Sequence, residues 1–126
     1  MNKKKVDNVI NLSSKDRYGY LIRKVADFEK IFLICDSYGS LVTIGDSLSK
    51  CIPVWPEKEF AEIFLTNEWK NYKVKSFSLE QFLTWIDKAT SEKYEIAGFP
   101  NLDLNAIVTS MDEIKNHLIY ESSQYE

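Results

Sequence analysis

Between residues 13 and 121 the apolar positions change period several times, and each change marks an element. Tyr18, Leu21, Ile22, Val25 and Ala26 recur at the spacing of one buried helix face, while Lys15, Asp16, Arg23, Lys24 and Asp27 form its wet face. Ser13 or Ser14 can N-cap this helix. The run IFLIC, 31–35, is apolar throughout and rich in β-formers, which predicts a central strand covered on both faces. Ser37, Tyr38, Gly39 and Ser40 supply a turn, and LVTI, 41–44, returns as the antiparallel partner. A polar loop, GDSLSK, leads to a third short strand at CIPVW, 51–55.

The segment Pro53-Val54-Trp55-Pro56 reads first as a joint between strand and helix. Pro56 suits the first helical turn, where its missing N–H has no partner to lose. Glu57, Glu59 and Glu62 place negative charge near the helix start, and Phe60, Ile63 and Phe64 form the inward stripe, with Asn67 as the stop. VKSF, 74–77, is extended. Ser78 and Gln81 then have capping-box spacing ahead of a helix whose apolar face is Leu79, Phe82, Leu83 and Ile86. EIAGF, 95–99, and NAIVT, 105–109, form a second hairpin about the turn Pro100-Asn101-Leu102-Asp103, and Ser110 with Glu113 opens a last helix with Met111, Ile114 and Leu118 inward. The order α-β-β-β-α-β-α-β-β-α predicts an α+β domain, a mostly antiparallel sheet of about five strands with three to four helices packed on it. Residues 1–11 are expected to be a flexible arm, 12–121 the single domain and 122–126 a frayed tail.

Composition narrows the function classes more than it names one. A chain of 126 residues, 44% apolar and 13% aromatic, has enough material for one core without disulfide or metal. A net charge of −3 does not favour a nucleic-acid backbone, and the Lys3, Lys4, Lys5 run reads as a solvated terminus. The start MNKKKVDNVINL lacks the apolar centre of a signal peptide, and no apolar run approaches the ~20 residues that span a bilayer, so a cytoplasmic protein off the membrane is expected. Cys35 and Cys51 lie in strand-like segments as reduced core thiols.

The usual chemistry finds little support in the pattern. His117 is the one histidine and sits beside Leu118 on the last helix, where a structural role is the default. No serine occupies a Gly-x-Ser-x-Gly turn, the four glycines form no phosphate-binding cluster, and two cysteines with one histidine are sparse for zinc. No catalytic residue, cofactor or metal is therefore expected. Most aromatics fall at core spacing, but Trp55, Trp69 and Trp85 belong to a residue type that often anchors interfaces. Asp36 and Asp46 flank the first hairpin and Glu57 and Glu59 follow the Trp, so the four carboxylates are expected to form an acidic rim.

Several of these residues also carry a family resemblance. Arg17-Tyr18-x-Tyr20-x-Ile22-x-Lys24-Val25-Ala26-Asp27, Pro53-Val54-Trp55-Pro56 with Glu59, Phe60 and Ala61, Glu68-Trp69-x-x-Tyr72, Leu79-x-x-Phe82-Leu83 and Phe99-Pro100 together resemble the bacterial DUF2750 family over residues 17–118. Glu57 departs from it, standing where the family often has His. The family name implies no activity. The element order is also similar to the N-terminal domain of the enhanced-serine-sensitivity family, a likeness of plan without chemistry. Small acidic α+β bacterial proteins recur among immunity proteins, which block a toxin. The expectation is therefore a non-enzymatic module binding a protein partner, in its most concrete form a cognate toxin, through Asp36, Asp46, Trp55, Glu57 and Glu59. The rivals are a small-molecule sensor or enzyme with a pocket at the Trp-Pro joint, and a structural homo-oligomer.

Overall fold

A computed structural model describes residues 2–46, 49–89 and 94–124. Its α+β architecture and element order are those the hydrophobic pattern predicts. Ser13 caps α2 (Ser14–Phe28) by accepting the Asp16 N–H, and the helix buries Leu21, Ile22, Val25 and Ala26. Its end at Glu29 is left-handed, with φ 57° and the Glu29 N–H on the Val25 carbonyl, a turn that feeds straight into β1 (Lys30–Cys35). β1 pairs antiparallel with β4 (Lys73–Ser78). Four further strands form a second sheet in the order β2 (Ile44–Asp46), β3 (Ser49–Val54), β5 (Glu95–Gly98), β6 (Ile107–Thr109). All its neighbours are antiparallel except β3 and β5. Phe32 and Trp55 exchange two backbone hydrogen bonds of 2.9 Å and so join the two sheets.

The helices cover this framework as the capping signals foretell. Ser78 and Gln81 form the reciprocal box, backbone N–H to side chain in both directions, ahead of α4 (Leu79–Ala89). Ser110 caps α5 (Met111–Ser123), whose Met111, Ile114 and Leu118 are buried and which packs against α2. The core gathers Leu21, Val25, Ile31, Ile34, Val54, Phe82, Ile86, Ile96 and Leu118 around the fully buried Trp55, Phe60 and Phe99.

Local departures from the sequence reading have physical reasons. Residues 3–10 are helical: α1 (Lys3–Ile10) is capped by the Asn2 side chain and anchored by a buried Ile10, so the expected arm carries an ordered element. The tail is likewise helical as far as Ser123, and residues 125–126 lie outside the described part. The first hairpin is curtailed. Leu41 bridges Cys35 and the Val42 N–H reaches the Ile34 carbonyl, but Trp55 holds the same edge of β1 at Phe32, so the returning chain crosses to β3 as β2. Within the polar loop beyond it, residues 47–48 are outside the described residues. Pro56 stands ahead of α3 (Lys58–Glu62), a single short turn for which the extended Glu57 is the N-cap position. Trp55 still keeps the ladder there, which delays the helix by two residues.

Candidate functional site

Two side chains of α2, Tyr18 and Tyr20, lie two positions apart and hence about 200° around the helix, so they point to opposite sides. Tyr20 turns toward α3. Its hydroxyl donates to Glu57 Oε1 at 2.7 Å, and its ring meets Phe60 edge-on and Phe99 at a tilt, each 6.0 Å between centroids. Burial, then the hydrogen bond and charge of Glu57, push its pKa well above 10. The phenol therefore remains a donor, and one oxygen of Glu57 is held.

That carboxylate borders a cleft of about 340 Å³ lined by Phe28, Lys30, Phe32, Pro56, Lys58 and Glu59 as well as Glu57 itself. The cleft lies at the Trp-Pro joint, between the end of α2, the first residues of β1 and the start of α3. Phe28 is 58% exposed at its lip, and Lys24 Nζ sits 5.1 Å from the Phe28 ring and 5.6 Å from the Tyr20 ring. Apolar walls with a fixed carboxylate suit a cationic side chain with an aliphatic stem. Lys30 on β1 and Lys58, between the two glutamates, supply donors for a carbonyl or carboxylate of the same ligand.

The residues expected to form one acidic rim are divided. Glu57 and Glu59 share the cleft. Asp36 lies past the far end of β1, six extended residues or roughly 20 Å from Lys30, and its Oδ1 is engaged by the Tyr38 and Ser40 N–H groups in the turn. Asp46 ends β2 opposite Ser49, and its side chain lies outside the described part. Trp55 is 0% exposed; its ring is 5.1 Å from Phe64 and its Nε1 donates to the Pro100 carbonyl at 3.4 Å. An indole enclosed on every side cannot meet a partner's surface, so its part in the site is to seat Pro56 and Glu57.

Near its start α2 also carries a polar knot that residue spacing does not single out. Arg17 is 2% exposed, and its guanidinium donates to the carbonyls of Phe99, Ile10, Leu12 and Asn105 and to Ser14 Oγ. These bonds clasp the α1–α2 link and the 99–105 loop to one helix. They also pin Phe99, which holds an unusual left-handed backbone of φ 59° with its N–H on the Val54 carbonyl. On the opposite side of α2, the Tyr18 hydroxyl is 2.6 Å from His117 Nδ1, at a second cleft of about 310 Å³ bordered by Arg23 and Tyr120. Tyr18 packs so closely on Gly98 that a Cβ there would come within 2.6 Å of its ring. Burial pushes the phenol up to about 12, opposed by the Thr109 hydroxyl and helped by Glu113.

Of the two cysteines, both are free and buried, and burial raises both thiols above their ordinary range. Among the described residues no three His, Cys, Asp or Glu side chains group as metal ligands would, and no helix is long and apolar enough to cross a membrane.

Residues 18–118 match the family described as protein of unknown function, DUF2750. No curated protein and no solved structure matches the chain. With the match spanning most of its length, the chain belongs to the DUF2750 family.

Proposed function

We propose that this DUF2750 chain is a cytoplasmic, non-enzymatic binding module that engages a protein partner at the Glu57 cleft, in its most concrete form an immunity-type protein that occludes a toxin. The observation that carries the reading is the carboxylate of Glu57, fixed by Tyr20 at 2.7 Å beside an exposed Phe28. An aromatic edge next to a fixed charge is a common interface anchor, because the ring supplies buried area and the charge supplies register. A lysine or arginine of the partner would lay its stem on Phe28 and Pro56 and reach Glu57, with Glu59 adding attraction. Such pairing chiefly raises the association rate and rejects wrong partners.

A second reading has its own observation. A cleft of about 340 Å³ falls at the small end of the range for small-molecule sites. One experiment separates the two. The chain is co-expressed with the product of the neighbouring gene, and binding is measured by calorimetry for wild type, Glu57→Lys and Phe28→Ser. Protein binding predicts a complex, loss of at least about tenfold in affinity in each variant, and a rise in Kd with salt. If there is no complex and no rescue of a toxic neighbour, while a metabolite raises the melting temperature, the small-molecule reading replaces it.

A further inference from the structure

The 99–109 segment carries four exposed large apolar side chains. Leu102 is 65% exposed, Leu104 47%, Ile107 37% and Val108 48%. Their exposure does not come from a slack loop. Asn101 Oδ1 accepts the Asp103 and Asn105 N–H groups, the Leu104 N–H reaches the Asn101 carbonyl, and Arg17 holds the Asn105 carbonyl from below. Leu104 itself is fixed in a left-handed conformation, φ 61°. An ordered loop that holds leucines in water is the mark of an interaction surface. The adjoining β6 is the last strand of its sheet, and among the described residues no backbone group pairs with its outer edge. A terminal strand of this kind offers alternate N–H and C=O groups to an added segment.

Charge chooses the occupant. From Tyr94 to Ile114 the sequence holds Glu95, Asp103, Asp112 and Glu113 and no Lys, Arg or His. Of the cations that flank this stretch, Lys115 pairs with Asp87 and Arg17 is engaged by the carbonyls of Phe99 and Asn105. A second copy pairing through β6 would bring Asp103, Asp112 and Glu113 against the same carboxylates, which disfavours self-association. We infer that the open edge of β6, with Val108 on one face of the strand, Ile107 on the other and the loop residues Leu102, Asp103 and Leu104 leading into it, is a docking surface for an extended segment of another protein in which basic and apolar residues alternate. Three residues of strand give few ladder bonds, so the apolar contacts supply most of the affinity and the carboxylates the selectivity. This surface is separate from the Glu57 cleft, since β5 and β6 lie on one side of β3 and β1 on the other.

The test uses the full chain and two synthetic peptides of about ten residues, one alternating Lys and Val, the other Glu and Val, followed by amide chemical shifts and sedimentation. The Lys/Val peptide is expected to shift residues 102–109, to bind more weakly as salt rises, and to lose about tenfold in affinity in the exposed-site variant Leu102→Ser/Val108→Ser. Glu57→Lys should leave that binding within about twofold, so this surface and the cleft fail or stand separately. The inference is overturned by equal binding of the Glu/Val peptide, by shifts centred on the Glu57 cleft, by no binding of either peptide, or by a homodimer that the Leu102→Ser/Val108→Ser variant dissolves.

Discussion

Arg17 and Tyr20 stand one turn apart on α2 and handle charge in opposite ways. At Arg17 a cation is sealed from water, with its N–H groups on carbonyl and hydroxyl oxygens drawn from three stretches of chain. At Tyr20 a neutral phenol holds one oxygen of a half-buried carboxylate that also faces a cleft. A buried ion with neutral partners has no freedom left to act on anything else, whereas a carboxylate held on one oxygen is oriented and still accessible. The difference separates the part of the motif that builds the fold from the part that can meet a ligand.

Breaking the buried half has the largest expected effect. In Arg17→Lys a single ammonium replaces the planar fork and cannot reach acceptors on both the α1–α2 link and the 99–105 loop. The buried Phe99 and Ile10 carbonyls left unsatisfied, together with the released Phe99 backbone, should cost about 3 kcal/mol. Urea unfolding followed by tryptophan fluorescence measures it, and a loss below about 1 kcal/mol would show that water replaces the clasp. Binding at the Glu57 cleft by whatever chain remains folded should be little changed, since the guanidinium does not line it.

Disturbing the accessible half should do the reverse. Tyr20→Phe keeps the ring between Phe60 and Phe99 and removes only the donor to Glu57. Stability should fall by about 1 kcal/mol or less, while affinity for a partner at the cleft falls about fivefold as the carboxylate loses its fixed orientation. A stability loss as large as that of Arg17→Lys would erase the distinction between the two regions.

How far each region can be read from residues follows the same division. Elements and caps were legible because they are local: Ser13, Ser78 and Ser110 each hold an N–H three residues on, and the apolar faces of α2, α4 and α5 follow from period alone. The Trp55 ring, the curtailed hairpin and the division of the acidic rim depend on which strand edge Trp55 occupies, a contact between residues far apart in sequence. Helix α1 escaped because a charged, polar stretch with one anchoring Ile10 has a weak apolar signal. Arg17 escaped because a lone arginine on a helix reads as solvated. Its one sequence signal was its place at the head of the run that resembles the family. Glu57 and Glu59 were found together because they are near neighbours in sequence; Phe28 and Lys30 reach the same cleft only through the left-handed turn at Glu29.

The smallest effect belongs to the other tyrosine, and it appears only in alkali. Tyr18 is half-buried against Gly98 and bonded to His117, and burial raises its phenol from 10.0 to about 12. In the unfolded chain the phenol ionises near 10, so above that pH the unfolded state sheds a proton that the folded state still keeps. The contribution of Tyr18 is thus fully present below pH 10 and is lost as pH rises toward 12. Tyr20, shifted the same way by its burial and by Glu57, adds to the fall. In urea titrations at constant ionic strength, Tyr18→Phe should lose less stability between pH 9 and pH 11 than the wild type, and the double Tyr18→Phe/Tyr20→Phe variant less again. An unchanged slope in Tyr18→Phe would mean that its hydroxyl ionises as freely in the fold as outside it. The cleft beside His117 would then be wet to the ring, and the contrast between the two sides of α2 would narrow to Tyr20 alone.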